Sequence, residues 1–189
     1  MSTTAPPALR VLRPAPQIEP AELLDRVTAF LSRFSVFPDH HCAPMLALWY
    51  AHTHAISHFY TTPRLILDSA EPGSGKTRVL EVAQYLVAKP EMTISITTAA
   101  IFRMLAVGPV TLLFDEIDAV FSGKSGGNNE DLRALLNAGY KRSATVARCV
   151  GDASRMKMER FPVFAPVALA GIAGGMPATI TTRAITVHM

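Results

Sequence analysis

The sequence predicts an α/β fold in which helices cover both faces of a mostly parallel five-stranded sheet, with two further helices in front of it. From Pro63 onward, apolar runs alternate with segments of helical periodicity, an order typical of parallel sheets covered by helices. A glycine-rich loop and an acidic segment each follow one of the apolar runs. Both segments are therefore expected at the carboxyl edge of the sheet, which is where ligands bind in such folds.

The composition is that of a folded domain. Of the 189 residues, 49% are apolar and 17% are charged, so the chain can bury a core and is not predicted to be disordered. The uncharged stretch 163–182 contains two prolines and three glycines, which favours a buried strand and its loop over a membrane span. Without a signal-peptide pattern, we expect a cytoplasmic protein with no membrane partner and with Cys42 and Cys149 as free thiols.

Three regions follow one another along the chain. Residues 1–19 are rich in proline and predict a flexible tail. Residues 20–60 predict two helices packed on the core, the first over 20–34 with Pro20 in its first turn and the second from Pro44 to about Phe59. Residues 61–189 predict the α/β core.

The elements of the core are assigned from their periodicity. Strands are predicted at 64–70, 91–96, 110–118, 166–172 and 184–189, and helices at 75–88, 98–106 and 129–140, the last capped by Asn128 or Asn129. One segment breaks the alternation: residues 143–164 predict a hairpin, here called the basic hairpin.

The loop between the first strand and the next helix, AEPGSGKT at residues 70–77, predicts a nucleotide site and is here called the glycine loop. Gly73 and Gly75 allow backbone N–H groups to converge on phosphates, and the following helix N-terminus favours anions. Lys76 reaches the outer phosphates and Thr77 offers a hydroxyl to Mg²⁺. The candidate ATP-binding residues are Glu71, Pro72, Gly73, Ser74, Gly75, Lys76, Thr77 and Arg78.

The first glycine of the phosphate-loop pattern is replaced by Ala70. Alanine fits this position without strain if its φ is negative, and it costs on the order of 1 kcal/mol if φ must be positive. The substitution therefore weakens the match to the pattern more than it weakens the chemistry.

The strand at 110–118 ends in acids, and Asp115 and Glu116 predict the catalytic half of the site. Asp115, together with Thr77, is the candidate magnesium ligand, and Glu116 is the candidate residue that polarises an attacking water. Asp118 lies further on and is interpreted as structural. The alternative is that both acids only cap the segment that follows.

These signals resemble the P-loop NTPases of the AAA+ type, in the order SAEPGSGKT, LLFDEID, VALAGI and TTRAI. More narrowly, ALWYAHTHA, LLNAGYKRSATVARCVG and RFPVFAPVALAGI are similar to a poorly characterised P-loop family of actinobacterial phages, plasmids and chromosomes with helicase and primase associations. The resemblance covers residues 40–189. It implies a three-layer αβα core, ATP as ligand and a role in mobile-element replication.

The resemblance also implies an oligomer, and the chain departs from the family pattern at two points. Arg183 stands where an arginine finger would reach the nucleotide of a neighbouring subunit, which makes it a catalytic candidate in a homo-oligomer; the alternative is a solvated arginine. Thr97 or Thr98 would restrain Glu116. The strand VALAGI has no polar residue at its tip, where AAA+ proteins orient water, and the helical lid is expected to be absent.

The basic hairpin is the candidate DNA contact. Residues 141–160 hold six basic and two acidic residues, and Arg148, Arg155, Lys157 and Arg160 are the predicted phosphate contacts. The alternative is that these charges only keep a sheet edge soluble. A zinc site formed by Cys42, His54 and His58 is a further hypothesis, although no other ligand stands at the expected spacing.

The sequence thus predicts a Mg²⁺-dependent ATPase with Lys76, Glu116 and Arg183 as catalytic residues, driving a DNA transaction as a helicase-like or replication-initiator ATPase. Two alternatives stay open: a protein-remodelling or assembly ATPase without nucleic acid, and a slow, nucleotide-gated binding module. A P-loop kinase is a lesser alternative, because no phosphoryl-acceptor site is identified.

Overall fold

The computed structural model describes residues 18–93, 96–117, 121, 128–151, 155–172 and 174–189. Most of the predicted proline-rich tail, Asp118 and the side chains of the predicted caps Asn128 and Asn129 lie outside the described residues. Among the described residues the helices are α1 (Pro20–Phe34), α2 (Cys42–His54), a short 3₁₀ helix (Ile56–His58), α3 (Lys76–Ala83), α4 (Thr98–Val107), α5 (Asn128–Ala138) and α6 (Ala178–Thr181). The strands are β1 (Arg64–Ser69), β2 (Pro90–Thr93), β3 (Thr111–Phe114), β4 (Thr145–Val150), β5 (Lys157–Pro162), β6 (Val167–Ile172) and β7 (Ala184–His188).

Five strands form one sheet in the order β2-β3-β6-β1-β7, and every neighbouring pair is parallel. The predicted five-stranded α/β core is therefore confirmed, with an entirely parallel sheet. β6 lies between β1 and β3, so that Ala168 pairs with Leu65 on one side and with Leu113 on the other. The segments that follow β1 and β3 consequently lie on either side of the end of β6, at the carboxyl edge of the sheet.

The two faces of the sheet bury separate apolar clusters, because successive strand residues point to opposite faces. In β1, Leu65 and Leu67 pack with α1, α2 and α3, whereas Ile66 packs with α4, α5 and the basic hairpin. All three side chains are at most 1% exposed. This arrangement is compatible with a three-layer αβα architecture.

The N-terminal helices α1 and α2 pack on the face covered by α3. Leu31 of α1 and Leu46 of α2 are fully buried in that cluster. The indole N–H of Trp49 donates to the carbonyl oxygen of Pro63 at 3.1 Å, which connects α2 to the segment entering β1.

Several element ends differ from the predicted ones. The second helix ends at His54, where the Ala55 N–H is shared between the Ala51 and His52 carbonyl oxygens, and a 3₁₀ turn replaces its last residues. β3 ends at Phe114 because Glu116 has a positive φ of 54° and cannot continue an extended strand. The short helix α6 was not predicted, since four residues carry too little periodicity.

The basic hairpin forms its own antiparallel two-stranded sheet of β4 and β5. Phe161 of β5 is buried against Phe102 of α4, with ring centroids 5.8 Å apart. The hairpin therefore packs on the α4 side of the core, outside the main sheet.

The uncharged stretch 163–182 contains the buried strand β6 and the helix α6. In the part of the chain that the structure describes, no helix combines the length and the hydropathy that crossing a membrane requires.

Candidate functional site

The glycine loop connects the end of β1 to the start of α3, at the carboxyl edge of the sheet. Gly73 and Gly75 have φ values of 78° and 94°, which side chains rarely adopt, and Gly75 is the N-cap of α3. Among the described non-glycine residues, only Lys89 and Glu116 have a positive φ. Ala70 is not one of them, so the substitution of the first glycine introduces no backbone strain.

The ammonium group of Lys76 folds back onto the loop. It donates to the hydroxyls of Ser69 and Ser74, the latter at 3.2 Å, and to the carbonyl oxygen of Glu71 at 3.3 Å. These acceptors carry no net charge, so they hold the ammonium without neutralising it, and a phosphate would be a stronger partner.

Ser69 is a site residue that sequence analysis missed. Its hydroxyl accepts from Lys76 and donates to the carbonyl oxygen of Glu71 at 2.5 Å. The side chain is buried at the last position of β1. The available signal was a hydroxyl residue at the last position of the strand, directly before the glycine loop.

Thr77 and Asp115 meet although they are 38 residues apart in the chain. The Thr77 hydroxyl donates to Asp115 Oδ2 at 2.7 Å, and the other carboxylate oxygen, Oδ1, accepts the backbone N–H of Glu116 at 3.0 Å. Two hard oxygen ligands are thereby held side by side. They come from α3 and from the end of β3.

Glu116 follows Asp115 with an exposed side chain and a left-handed backbone. A left-handed φ in a residue with a long side chain stores on the order of 1 kcal/mol of strain, and such strain is found at functional sites. This conformation turns the chain sharply after Asp115. The side chains of Asp115 and Glu116 therefore do not point to opposite faces as they would in a strand.

A cavity of about 280 Å³ brings these groups together. The glycine loop forms one wall, Asp115 and Glu116 form another, and Gly171 and Ile172 at the end of β6 form the floor between them. The floor carries no polar side chain, as the sequence predicted, and Ile172 is 42% exposed. The ionisable groups of the cavity are thus one ammonium and two carboxylates.

A second cavity of about 310 Å³ lies on the outer side of the glycine loop. It extends from Gly73 along the first turn of α3 to Arg78 and Glu81. These last two side chains form an ion pair with 2.8 Å between Arg78 Nη1 and Glu81 Oε2. Arg78 therefore lies beside the loop, as predicted, but its guanidinium points at Glu81.

Arg183 is at the opposite edge of the sheet from the glycine loop. It precedes β7, whose first residue pairs with Arg64 at the start of β1, so about 17 Å of strand separates it from the loop after Ser69. Its guanidinium lies 4.5 Å from the centroid of the Tyr140 ring and donates to the Asn137 carbonyl oxygen at 3.0 Å. The structure does not bring Arg183 to the cavity of its own chain, and its role toward a neighbouring subunit stays a prediction.

The two threonines after β2 have other partners than the one expected. The Thr97 hydroxyl caps α4 by accepting the Ala100 N–H at 3.3 Å, and Thr98 is buried in the first turn of α4. Neither forms a hydrogen bond with Glu116 among the described residues.

The basic residues of the hairpin are divided between its two faces. Arg148 and Lys157 project toward the α4 side with Phe161, whereas Arg160 is on the outer face, because directly paired residues share a face. Arg155 is exposed and precedes the first residue of β5 by two positions. A single continuous basic stripe is therefore not formed.

Arg148 already has partners within the chain. Its guanidinium is 2.5 Å from Asp131 of α5 and 5.1 Å from the centroid of the Phe102 ring. Only 30% of its side chain is exposed. Arg148 joins the hairpin to α4 and α5, which leaves Arg155, Lys157 and Arg160 as the exposed candidates for phosphate contact.

The proposed zinc ligands do not converge. Cys42 begins α2 and His54 ends it, so their backbones are roughly 18 Å apart along the helix. The described ligand-type side chains that do approach one another are the three consecutive exposed residues Asp39, His40 and His41. Such a surface cluster is common without a metal, and Cys42 and Cys149 are both unbonded thiols.

Comparison with known proteins adds no functional label to this geometry. The sequence matches no protein-family model, and no curated protein is similar to it. The functional assignment therefore depends on the residues of the cavity and on their chemistry.

Proposed function

We propose that the chain is a Mg²⁺-dependent ATPase with a P-loop NTPase core of the AAA+ type. The observation that carries the proposal is the 2.7 Å hydrogen bond between Thr77 and Asp115 beside the glycine loop. A hydroxyl in the first helical turn and a carboxylate at the end of a buried strand are the groups that hold Mg²⁺ in P-loop sites.

The donor set fits magnesium. Mg²⁺ prefers hard oxygen ligands and keeps several waters, and it is held by one or two protein groups together with phosphate oxygens. Thr77 and Asp115 supply those two groups within one cavity. When bound, the ion would neutralise phosphate charge.

The residues of the chain have separate roles in this proposal. Backbone N–H groups around Gly73 and Gly75 bind the phosphates, and Lys76 exchanges its serine and carbonyl partners for phosphate oxygens. Glu116, exposed at the cavity wall, orients and polarises the attacking water. The left-handed backbone of Glu116 turns the chain after Asp115 and so sets the direction of the Glu116 side chain relative to Asp115.

Binding and hydrolysis assays on three variants test the proposal. We expect Lys76→Ala to weaken ATP binding at least tenfold, and Glu116→Gln to keep ATP affinity while reducing turnover by a factor on the order of 100. Lys141→Ala removes an exposed lysine at the other edge of the sheet and serves as the control. Unchanged ATP affinity in Lys76→Ala would refute the proposal.

One observation favours a second candidate, a nucleotide-gated binding module with little turnover. The floor of the cavity is formed by Gly171 and Ile172, so no side chain from β6 can orient water. In that case the wild-type protein binds ATP and releases almost no phosphate in a single-turnover experiment, and Glu116→Gln changes neither quantity. Measurable wild-type turnover that Glu116→Gln abolishes excludes this candidate.

We further propose that the ATPase acts on DNA through the exposed end of the basic hairpin. Arg155 and Lys157 are exposed two positions apart in sequence, and Arg160 is exposed on the other face of the hairpin from Lys157. Phosphate contacts of this kind carry no sequence information and weaken with salt.

Single-stranded DNA binding and DNA-stimulated ATPase activity test the DNA role. The charge reversal Arg155→Glu/Lys157→Glu is expected to abolish salt-sensitive binding and stimulation. Arg26→Glu/Arg33→Glu, a double reversal of exposed arginines on α1, serves as the matched control. If turnover is insensitive to DNA and to the reversal, the alternative of a protein-remodelling ATPase is favoured instead.

A homo-oligomer belongs to the same proposal. Arg183 can act only on the nucleotide of another subunit, and to do so it must leave Tyr140 and the Asn137 carbonyl oxygen. Arg183→Ala is therefore expected to reduce turnover while leaving ATP affinity unchanged. Equal turnover in the variant and the wild type would restrict Arg183 to its intramolecular contacts.

A further inference from the structure

A third cavity, of about 450 Å³, lies between α1 and α3 and adjoins the outer side of the glycine loop. Arg78 and Glu81 line both this cavity and the one beside the loop. Their ion pair therefore lies at the junction of these two neighbouring cavities. The third cavity is here called the α1–α3 groove.

The α1–α3 groove has aromatic walls. Phe30 and Phe34 of α1 stand on one side with their ring centroids 4.9 Å apart, and Tyr85 stands on the other side just beyond the end of α3. Tyr85 is 84% exposed and Phe34 is 47% exposed. Large aromatic side chains at such exposure give up apolar burial in the free protein, and flat ligands can recover it.

The groove also has the reach that a nucleotide needs. Arg78 and Val82 are four residues apart and lie on one side of α3, and Tyr85 follows just beyond the end of the helix; all three line the groove. Val82 is one helical turn from Arg78, roughly 6 Å further from the loop. The ribose and its 5′ carbon separate a base from its phosphates by a distance of this order.

We propose that the α1–α3 groove is the base subsite of the nucleotide and that Phe34 and Tyr85 contact the purine ring. This inference rests on the proposed function, since the phosphates of the same nucleotide would occupy the glycine loop. Arg78 lies at the junction, where it can contact the ribose or the first phosphate, and Glu81 can accept a hydrogen bond from a ribose hydroxyl or an amino group.

The subsite gives α1 a function. α1 has a single fully buried residue, Leu31, and leaves Leu23 and Phe34 about half exposed. A helix that served only to cover the core would bury more of its apolar face. With a base between α1 and α3, the helix becomes part of the binding site.

Binding of ATP and of tripolyphosphate, each with Mg²⁺, tests the inference, because tripolyphosphate carries the phosphates without a base. We expect the wild type to bind ATP more tightly than tripolyphosphate. Tyr85→Ala and Phe34→Ala are each expected to weaken ATP binding about tenfold, as for the loss of one stacking contact, and to leave tripolyphosphate affinity unchanged. Tyr60→Ala, which removes a 61% exposed tyrosine at the other edge of the sheet, is the matched control.

The outcomes separate the two proposals. If ATP and tripolyphosphate bind the wild type equally, or if Tyr85→Ala binds ATP as the wild type does, the base subsite is refuted and the ATPase proposal stands. If the wild type binds neither ligand, both are refuted. Because Tyr85 is almost fully exposed, its substitution leaves the fold intact, and circular dichroism of the variant verifies this.

Discussion

Glu116 and Lys76 show how single residues set the properties of the candidate site. Glu116 has a left-handed backbone at φ 54°, and its N–H group donates to the Asp115 carboxylate beside it. Lys76 makes its hydrogen bonds to uncharged oxygens only. Glu116 therefore carries backbone strain, and Lys76 keeps an ammonium charge that these acceptors do not neutralise; strain of the first kind is often found at functional sites.

Replacing Glu116 by glycine is expected to stabilise the fold and abolish hydrolysis. Glycine adopts the left-handed backbone without strain, so Glu116→Gly should raise the free energy of unfolding by about 1 kcal/mol in urea denaturation. Glu116→Ala removes the same carboxylate but keeps the strain, and it should not gain this stability. Equal stability of the two variants would show that the backbone at this position is not strained.

Among the elements, β1 contributes a buried polar residue at each edge of the sheet, Arg64 at its start and Ser69 at its end. Ser69 at its end holds Lys76, and Arg64 at its start is 1% exposed and donates to the carbonyl oxygens of Leu136 and Ala165. Burial and the nearby Arg183 lower the pKa of Arg64. The Leu136 carbonyl oxygen offsets part of that penalty, since it lies at the C-terminal end of α5, where the helix dipole is negative.

Arg64 is therefore expected to fix the position of α5 relative to β1. Arg64→Met should lower the free energy of unfolding by about 3 kcal/mol, because two buried carbonyl oxygens lose their donors while the apolar part of the side chain is retained. The measurement is chemical denaturation followed by circular dichroism. Arg183→Met, which removes an exposed guanidinium with one hydrogen bond, should cost less than about 1 kcal/mol; a similar loss in both variants would contradict this role.

At the scale of the whole molecule, the N-terminal helices are joined to the core by polar as well as apolar contacts. His52 of α2 forms a 3.0 Å hydrogen bond with Thr62, just before β1, and its ring lies 4.3 Å from that of Phe59. Thr53 accepts the N–H of Ala88, which follows α3. α2 is thus attached to the core by hydrogen bonds at two places, before the start of β1 and after the end of α3.

This attachment is expected to weaken in mild acid. Burial lowers the pKa of His52 from its ordinary 6.5, so below pH 6.5 the unfolded chain binds a proton that the folded chain does not. The neutral imidazole therefore contributes stability above pH 6.5 that is lost as pH falls through the folded pKa. Urea denaturation at pH 7.5 and at pH 5.0 measures the decline, which should be smaller in His52→Gln; an identical decline in the variant would exclude His52 as its source.

The sequence by itself determined most of the helices and strands and the positions along the chain of the residues that line the cavity. The apolar runs of β1, β3 and β6 and the glycine loop are local patterns, since each follows from residue types within a few positions. The element ends were less well predicted, because a single backbone angle, such as that of Glu116, ends a strand without a sequence signal.

The tertiary structure alone decided which of these residues meet. Placing β6 between β1 and β3 brings Thr77 to Asp115, and the parallel pairing of β7 with β1 leaves Arg183 at the opposite edge. Pairing in the hairpin divides its basic residues between two faces, and packing on α5 engages Arg148. Strand order, register and burial arise from contacts between residues distant in sequence, and local periodicity contains no information about them.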